Sequence, residues 1–202
     1  MGHYTGPKGR INRRLGQQIF ENGGAKRSLE RRDSPPGMQQ RRGKPSAYAL
    51  GLREKQKVKY FYGLSERQLR RFLANAHRHG GNTGEELLML CERRLDNVVR
   101  RSGMTTSRPQ ARQGIAHGHF NVNGRKTDVA SYIVRPGDVI QVRDRKNLRS
   151  IYTNMMETSE TQPIDWLALD QSQYQIRVLG LPGPEDVSLP VELGILIEFL
   201  SR

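Results

Sequence analysis

"SRPQARQGIAHGHFNVNGR", Ser107–Arg125, carries three structural instructions in nineteen residues. Ser107 and Gln110 stand at capping-box spacing where a helix begins, and Pro109 is tolerated in its first turn. Ile115 supplies a short apolar contact, and Gly118 suits the left-handed position that ends a helix. "HFNVNGRKTDV" then sets Asn123-Gly124 between alternating residues, the strongest short-range hairpin signal. The stretch is a capped helix, a glycine stop and a tight hairpin, with arginines at both ends.

Upstream, the periodicity is helical. "TGEELLMLCERRLDNVVRRSG" places Thr83 and Glu86 at capping-box spacing and Leu87, Leu88, Cys91, Leu95 and Val98 on one stripe. Its length fits one long helix or two in tandem, with a domain boundary near Glu92. "SERQLRRFLANAHRHGG" opens on Ser65 and Gln68, again a capping box, and carries Leu69, Phe72, Leu73 and Ala76 on one face. "LREKQKVKYFYG" alternates basic residues with Val58, Tyr60, Phe61 and Tyr62 before stopping at Gly63. Downstream, Pro136-Gly137 makes a second turn and "DVIQVRD" a further strand. "KNLRSIYTNMMET" is compatible with a helix, 161–184 looks β-like and irregular, and Trp166 reads as a core plug. The apolar ending "SLPVELGILIEFLSR" must pack against something, and the helices of residues 46–91 are the natural host. The expected fold is α+β: a mostly helical domain over 46–91 completed by 185–202, and an inserted module over 92–184. That module's core, about 92–150, is two short helices and a small twisted sheet.

Charge points to the partner. The chain has 34 Lys and Arg against 20 Asp and Glu, a net of +14, spread unevenly. Residues 1–60 carry +11, residues 61–150 carry +9 and residues 151–202 carry −6. A polarised molecule of this kind grips a polyanion with one part, nucleic acid before an anionic membrane. No run of about 18 apolar residues is present to span a bilayer. The N-terminus lacks a secretory h-region, and Gly6 stands where a myristoylation signal needs Ser or Thr. Residues 1–45 hold few large apolar side chains and read as a basic, irregular arm that orders along RNA, with at most a short helix over Arg13–Glu21.

Catalytic constellations are missing. His77 and His79 face different directions, and His117 and His119 flank Gly118 among cations, so neither pair suits a metal. Walker, Gly-x-Ser-x-Gly and His-Glu-x-x-His motifs do not occur, so an enzyme is not expected and no cofactor is implied. The lone thiol Cys91 forms no internal disulfide and reads as core packing. The arginines do form a pattern. Arg94 and Arg101 are two turns apart, as are Arg93 and Arg100. Arg108 and Arg112 open the next helix, where backbone donors favour a phosphate, and Arg125 and Lys126 follow the hairpin turn. Few acids lie at the i±4 positions that would pair them. A helix-turn-helix DNA reader is the rival, but "RPQARQGIAHG" is short, ends in small residues and runs straight into a hairpin, which suits RNA backbone better.

"RLDNVVRRSG", "SRPQARQGIAHGHFNVNGR" and "ASYIVRPGDVIQV" resemble the small RNA-binding domain first named for small-subunit ribosomal protein four, which also occurs in some pseudouridine synthases and tyrosyl-tRNA synthetases. "REKQKVKYFYGLSERQ", "GNTGEELL", "YTGPKGRINRRLG" and the ending "IEFLSR" are similar to the bacterial-type ribosomal protein family itself. The resemblance implies a primary binder of small-subunit rRNA that nucleates assembly of the subunit body and contributes to translational accuracy. It implies the fifth and third small-subunit proteins as neighbours, contact with mRNA where it enters the subunit, and residence in a cytoplasmic or organellar ribosome. An RNA-modifying enzyme's accessory and a DNA-binding regulator are the alternatives.

The candidate rRNA contacts are Lys8, Arg10, Arg13, Arg14, Arg41, Arg42 and Lys44 in the arm. Arg53, Lys55, Lys57, Lys59, Arg67 and Arg70 follow in the first helices. In the central module they are Arg94, Arg101, Arg108, Arg112, His119, Asn123, Arg125 and Lys126. Many relatives hold zinc in a cysteine knot in the arm. Here the corresponding neighbourhood shows Gly9, Asn12 and Lys26, so no metal is expected.

Overall fold

The apolar stripe of residues 87–98 is broken at Arg93 and Arg94. In the computed structural model, which describes residues 4–32, 34–38, 44–159 and 164–201, α5 (Thr83–Glu92) stops there and α6 (Leu95–Arg101) starts afresh. Arg94 adopts an extended backbone and bridges Ile133, while the Leu95 N–H donates to Tyr132 O and the Val134 N–H to Arg93 O. The two-helix alternative is therefore the one that forms. Arg94 and Arg101 do not share a continuous helix face.

The chain divides into two compact units: residues 1–87 with 188–202, and residues 88–187. The first is helical. It contains α1 (Lys8–Leu15), α2 (Gly23–Arg31), α3 (Ala47–Phe61), α4 (Glu66–His79), the start of α5, and α9 (Leu193–Ser201). Ser65 and Gln68 form the reciprocal capping box that opens α4. At α5 the cap is Asn82, one residue before Thr83. Its side chain accepts from the Gly84 N–H and donates to Glu85, so the cap takes a different form from the Thr83–Glu86 box.

The terminal segment α9 returns to α3. A Cβ at Gly51 would collide with the Phe199 ring, so the absent side chain sets how closely these helices approach. The buried Glu54 carboxylate accepts from the Glu192 N–H at 3.1 Å, which satisfies a backbone donor just before α9.

The arm is more ordered than its composition suggests. α1 and α2 pack on each other, and Ile11, Leu15, Ile19, Phe20 and Ala25 are buried. Asn12, fully buried, does much of this. Its Oδ1 accepts from the N–H groups of Ile19 and Phe20 at 3.1 and 3.0 Å, and its Nδ2 donates to Phe20 O. Phe20 and Tyr4 then pack with Tyr60 of α3, ring centroids 5.2–6.2 Å apart. Aromatic area compensates for scarce aliphatic residues. The helix expected over Arg13–Glu21 is replaced by one ending at Leu15 with Gly16 in the left-handed conformation (φ 66°). These residues do not suit a metal. Gly9 has no side chain, and a Cβ there would meet Ser28 at 2.8 Å. The Asn12 amide is spent on backbone, and Lys26 is an exposed cation.

The second unit packs the rest of α5, then α6, α7 (Arg108–Ala116) and α8 (Lys146–Thr158) with one antiparallel sheet in the order β2-β1-β3-β5-β4. The strands are β1 (Phe120–Val122), β2 (Arg125–Thr127), β3 (Val139–Val142), β4 (Leu167–Asp170) and β5 (Gln175–Val178). Asn123 and Gly124 both take positive φ, 50° and 76°, and pair Val122 with Arg125 in a two-residue hairpin. The stretch expected to be β-like and irregular adds two strands to the same sheet, Ile140 pairing with Ile176. Phe120, Ile140, Ile176, Ile115, Leu95 and Val98 are all fully buried in its core. Trp166 joins them as the expected plug.

Candidate nucleic-acid interface

α7 begins with cations that turn inward. The side chain of its N-cap Ser107 makes no bond to the helix backbone, although the Ser107 carbonyl accepts from the Ala111 N–H. The Ser107 and Thr106 hydroxyls instead donate to the Gln110 side chain, so the reciprocal capping box does not form. Arg108 is buried, and its Nε donates to Asn97 Oδ1 at 2.8 Å. Asn97 in turn donates to the fully buried Glu92. Arg94 has no exposed surface. Its Nε and Nη2 grip the two oxygens of Asp96 at 3.0 and 2.6 Å. Arg112 approaches the same carboxylate at 3.5 Å, and Arg101 lies 3.7 Å from Glu92 and donates to Asp186 O at 2.7 Å. Burial, reinforced by the Arg94 charge, lowers the Arg112 guanidinium below the usual arginine value, and Asp96 opposes this.

Acids do pair these arginines, through the fold and not at i±4. Arg94 and Arg112 share Asp96, Arg101 lies against Glu92, and Arg108 reaches Glu92 only through Asn97. Arg94 is corrected from a surface contact to an internal strut. Arg108 is committed to Asn97, while Arg101 and Arg112 keep a partly exposed edge, 22% and 15% of their side chains. Asn123 is also engaged: its amide donates to Asp138 and accepts from the Val139 N–H, which ties the hairpin to β3.

Exposed cations gather at the other end of α7. The helix closes on Gly118 (φ 68°), with the His119 N–H donating to Gly114 O and the Gly118 N–H to Ile115 O. The Lys126 side chain lies over Gly118, and Arg143 Nη1 donates to Gly118 O at 3.2 Å. His117 sits 5.8 Å from His119, centroid to centroid. Burial, then the charges of His117, Arg145 and Arg143, push the His119 imidazole below its ordinary value. Arg125 and Lys126 lie exposed on the edge strand β2. Arg143, Arg145 and His117 join this patch, although none of them is among the candidate rRNA contacts above. The run "VRDRK" carried the charge, but only the β1–β3 register, with the Arg143 N–H donating to His119 O, brings it beside the helix end.

In the first unit, Arg10, Arg14, Lys44, Arg53 and Arg67 are exposed. Arg70 is exposed and 4.0 Å from Glu66. Lys55 and Lys59 pair with Glu66 at 3.0 and 3.4 Å, and Lys57 pairs with Glu54 at 2.7 Å. Arg13 donates to the carbonyls of Ser34 and Pro35, and Lys8 sits over the Phe20 ring. Arg41 and Arg42 lie outside the described residues. Among the described residues, no helix is long and apolar enough to cross a membrane, and no cluster of three or more His, Cys, Asp or Glu could hold a metal ion.

Comparison with known proteins gives consistent matches. Residues 3–92 match the ribosomal protein S4/S9 N-terminal domain, and residues 93–140 match the S4 domain. The chain is 54% identical to the small ribosomal subunit protein uS4 of Rhodopirellula baltica over 202 residues, the whole of both chains. It is 45% identical to the protein of that name from Roseiflexus castenholzii and 44% identical to that of Thermoanaerobacter sp., again over the full length of both.

Proposed function

Because the chain belongs to the small ribosomal subunit protein uS4 family, we propose that it binds small-subunit rRNA directly and early, helping to nucleate the subunit body and supporting accurate decoding. It is a structural ribosomal protein and not an enzyme, and its place is the ribosome. The observation that carries the rRNA reading is the cation patch at the α7–β1 turn and the β2 edge. There Lys126, Arg125, Arg143, Arg145 and His117 stand together, and Asp144, between Arg143 and Arg145, is engaged by Arg149 at 2.9 Å.

Arg125, Lys126 and Arg145 are exposed, Arg143 spends one of its donors on Gly118 O, and a rigid helix–hairpin platform fixes the spacing at which these cations meet phosphate oxygens. Arg10, Arg14, Lys44, Arg53, Arg67 and Arg70 extend the contact set on the first unit, and Arg101 and Arg112 add their exposed edges. The fifth and third small-subunit proteins and incoming mRNA are the further partners in this reading, in a cytoplasmic subunit.

Titration of the full chain onto small-subunit rRNA at stepped salt tests it. With about six phosphates neutralised, log affinity falls against log salt with a slope of roughly −4 to −5. A flat response, or equal affinity for duplex DNA, refutes it.

A further inference from the structure

The α8 helix lies outside the matched S4 domain, yet it reaches the end of α7. Tyr152 of α8 is buried and packs edge-on to Phe120, ring centroids 5.2 Å apart, and its hydroxyl stands 3.1 Å from His119 Nδ1. The site for that hydroxyl is cut into the fold: a Cβ at Gly114 would collide with it. Nδ1 is engaged by Tyr152, and the other ring nitrogen, Nε2, has no hydrogen-bond partner among the described residues. Beside the ring stand His117 from the end of α7 and the charges of Arg143 and Arg145 after β3, while Lys126 from β2 lies over the adjoining Gly118. Asp144, the acid in this neighbourhood, is turned to Arg149. Such a half-buried imidazole among cations is poorly placed to hold a proton alone and well placed to share one with an anion.

We propose that His119, oriented by Tyr152, forms with His117, Lys126, Arg143 and Arg145 a seat for a single RNA phosphate, in which Nε2 donates to a phosphate oxygen. This rests on the rRNA-binding reading and adds to it one atom and one proton. Tyr152 is the positioning residue: by engaging Nδ1 it fixes the ring orientation before RNA arrives, so no rotamer freedom is lost at that group on binding. Burial raises the Tyr152 phenol well above its usual value, which keeps it protonated through the working range. An anion bound at Nε2 favours imidazolium, so binding takes up protons and tightens as pH falls through the range in which His119 titrates.

The test uses the full chain and a small-subunit rRNA transcript, with affinity measured at fixed salt from pH 7.5 to 6.0. The wild type gains affinity over His119→Gln on acidification, up to about tenfold for each pKa unit that the phosphate adds to His119. His119→Gln keeps a neutral donor and loses the proton linkage, while His117→Gln controls for the neighbouring ring. In Tyr152→Phe, ¹⁵N signals of His119 report a changed tautomer balance in the free protein, and RNA affinity falls about threefold. If His119→Gln binds with wild-type affinity and wild-type pH dependence, the seat is overturned and rRNA binding stands. If Tyr152→Phe leaves the His119 ¹⁵N signals unmoved, the positioning role is overturned. If the wild type binds no rRNA at any pH, seat and rRNA-binding reading fall together.

Discussion

Asp96→Asn is the sharpest test of the buried charge network. The substitution keeps shape and one acceptor but removes the negative charge that Arg94 grips with Nε and Nη2 at 3.0 and 2.6 Å. The Arg94 side chain is 0% exposed and that of Asp96 is 6% exposed, so water cannot screen the orphaned guanidinium. Arg112, 3.5 Å from the same carboxylate, then adds like-charge repulsion. One ion pair at about 4 Å is worth roughly 4 kcal/mol at an effective dielectric of about 20. Removing one partner of a buried pair costs about 3–5 kcal/mol. The single tryptophan, Trp166, sits in the core of this unit, so its fluorescence during urea unfolding reports the unit selectively. With a urea slope of about 2 kcal/mol/M, the midpoint falls by roughly 2 M. The double variant Arg94→Met with Asp96→Leu removes both charges and recovers most of that loss. It also keeps rRNA affinity, because Arg94 acts inside the fold. A loss below about 1 kcal/mol for Asp96→Asn would refute the reasoning, as would a double variant no more stable than the single.

Asn12→Ala strands the Ile19 and Phe20 N–H groups in a buried turn, at about 1–3 kcal/mol each; far-UV circular dichroism on heating should show the first unit melting earlier, and an unchanged midpoint would count against the clamp. Gly51→Ala drives a methyl into the Phe199 ring, with an expected cost of about 1–3 kcal/mol in the same assay. His119 links the second unit to pH. Its imidazole is held below 6.5 in the folded chain, so the unfolded chain binds that proton more readily, and Trp166-monitored stability falls as pH drops from 7.5 toward 5.5. His119→Gln should flatten that dependence, and an identical slope would remove His119 as its source.

Features encoded over a few residues were legible in the sequence. Ser65 with Gln68 makes its capping box, and Asn123-Gly124 makes its hairpin. In both cases one backbone conformation and one hydrogen-bond pattern are specified within four residues. The apolar ending was legible as a surface needing cover, and α3 supplies it. Misreadings arose where the deciding contact was distant. Arg94 looked like a phosphate ligand because its charge is visible and its burial is not. Asp96 stands two residues away, but it pairs with Arg94 because the chain between α5 and α6 runs extended beside Ile133. The arm looked too polar to fold, since Tyr4, Phe20 and Tyr60 form a cluster only when 40 residues of chain are closed. The Ser107 box failed because Gln110 had two hydroxyls to accept from nearby.

The discontinuity of the first unit has a consequence for synthesis. Residues 88–187 form one uninterrupted span, so the sheet and its helices have every partner they need as soon as that span has left the ribosome. The helical unit must wait. Glu54 accepts from Glu192 across 138 residues, and Gly51 is shaped for Phe199, which lies beyond the whole of the second unit. During translation the first unit therefore holds α3 with its closing face bare until the final helix arrives. The later part of the chain matures before the earlier part.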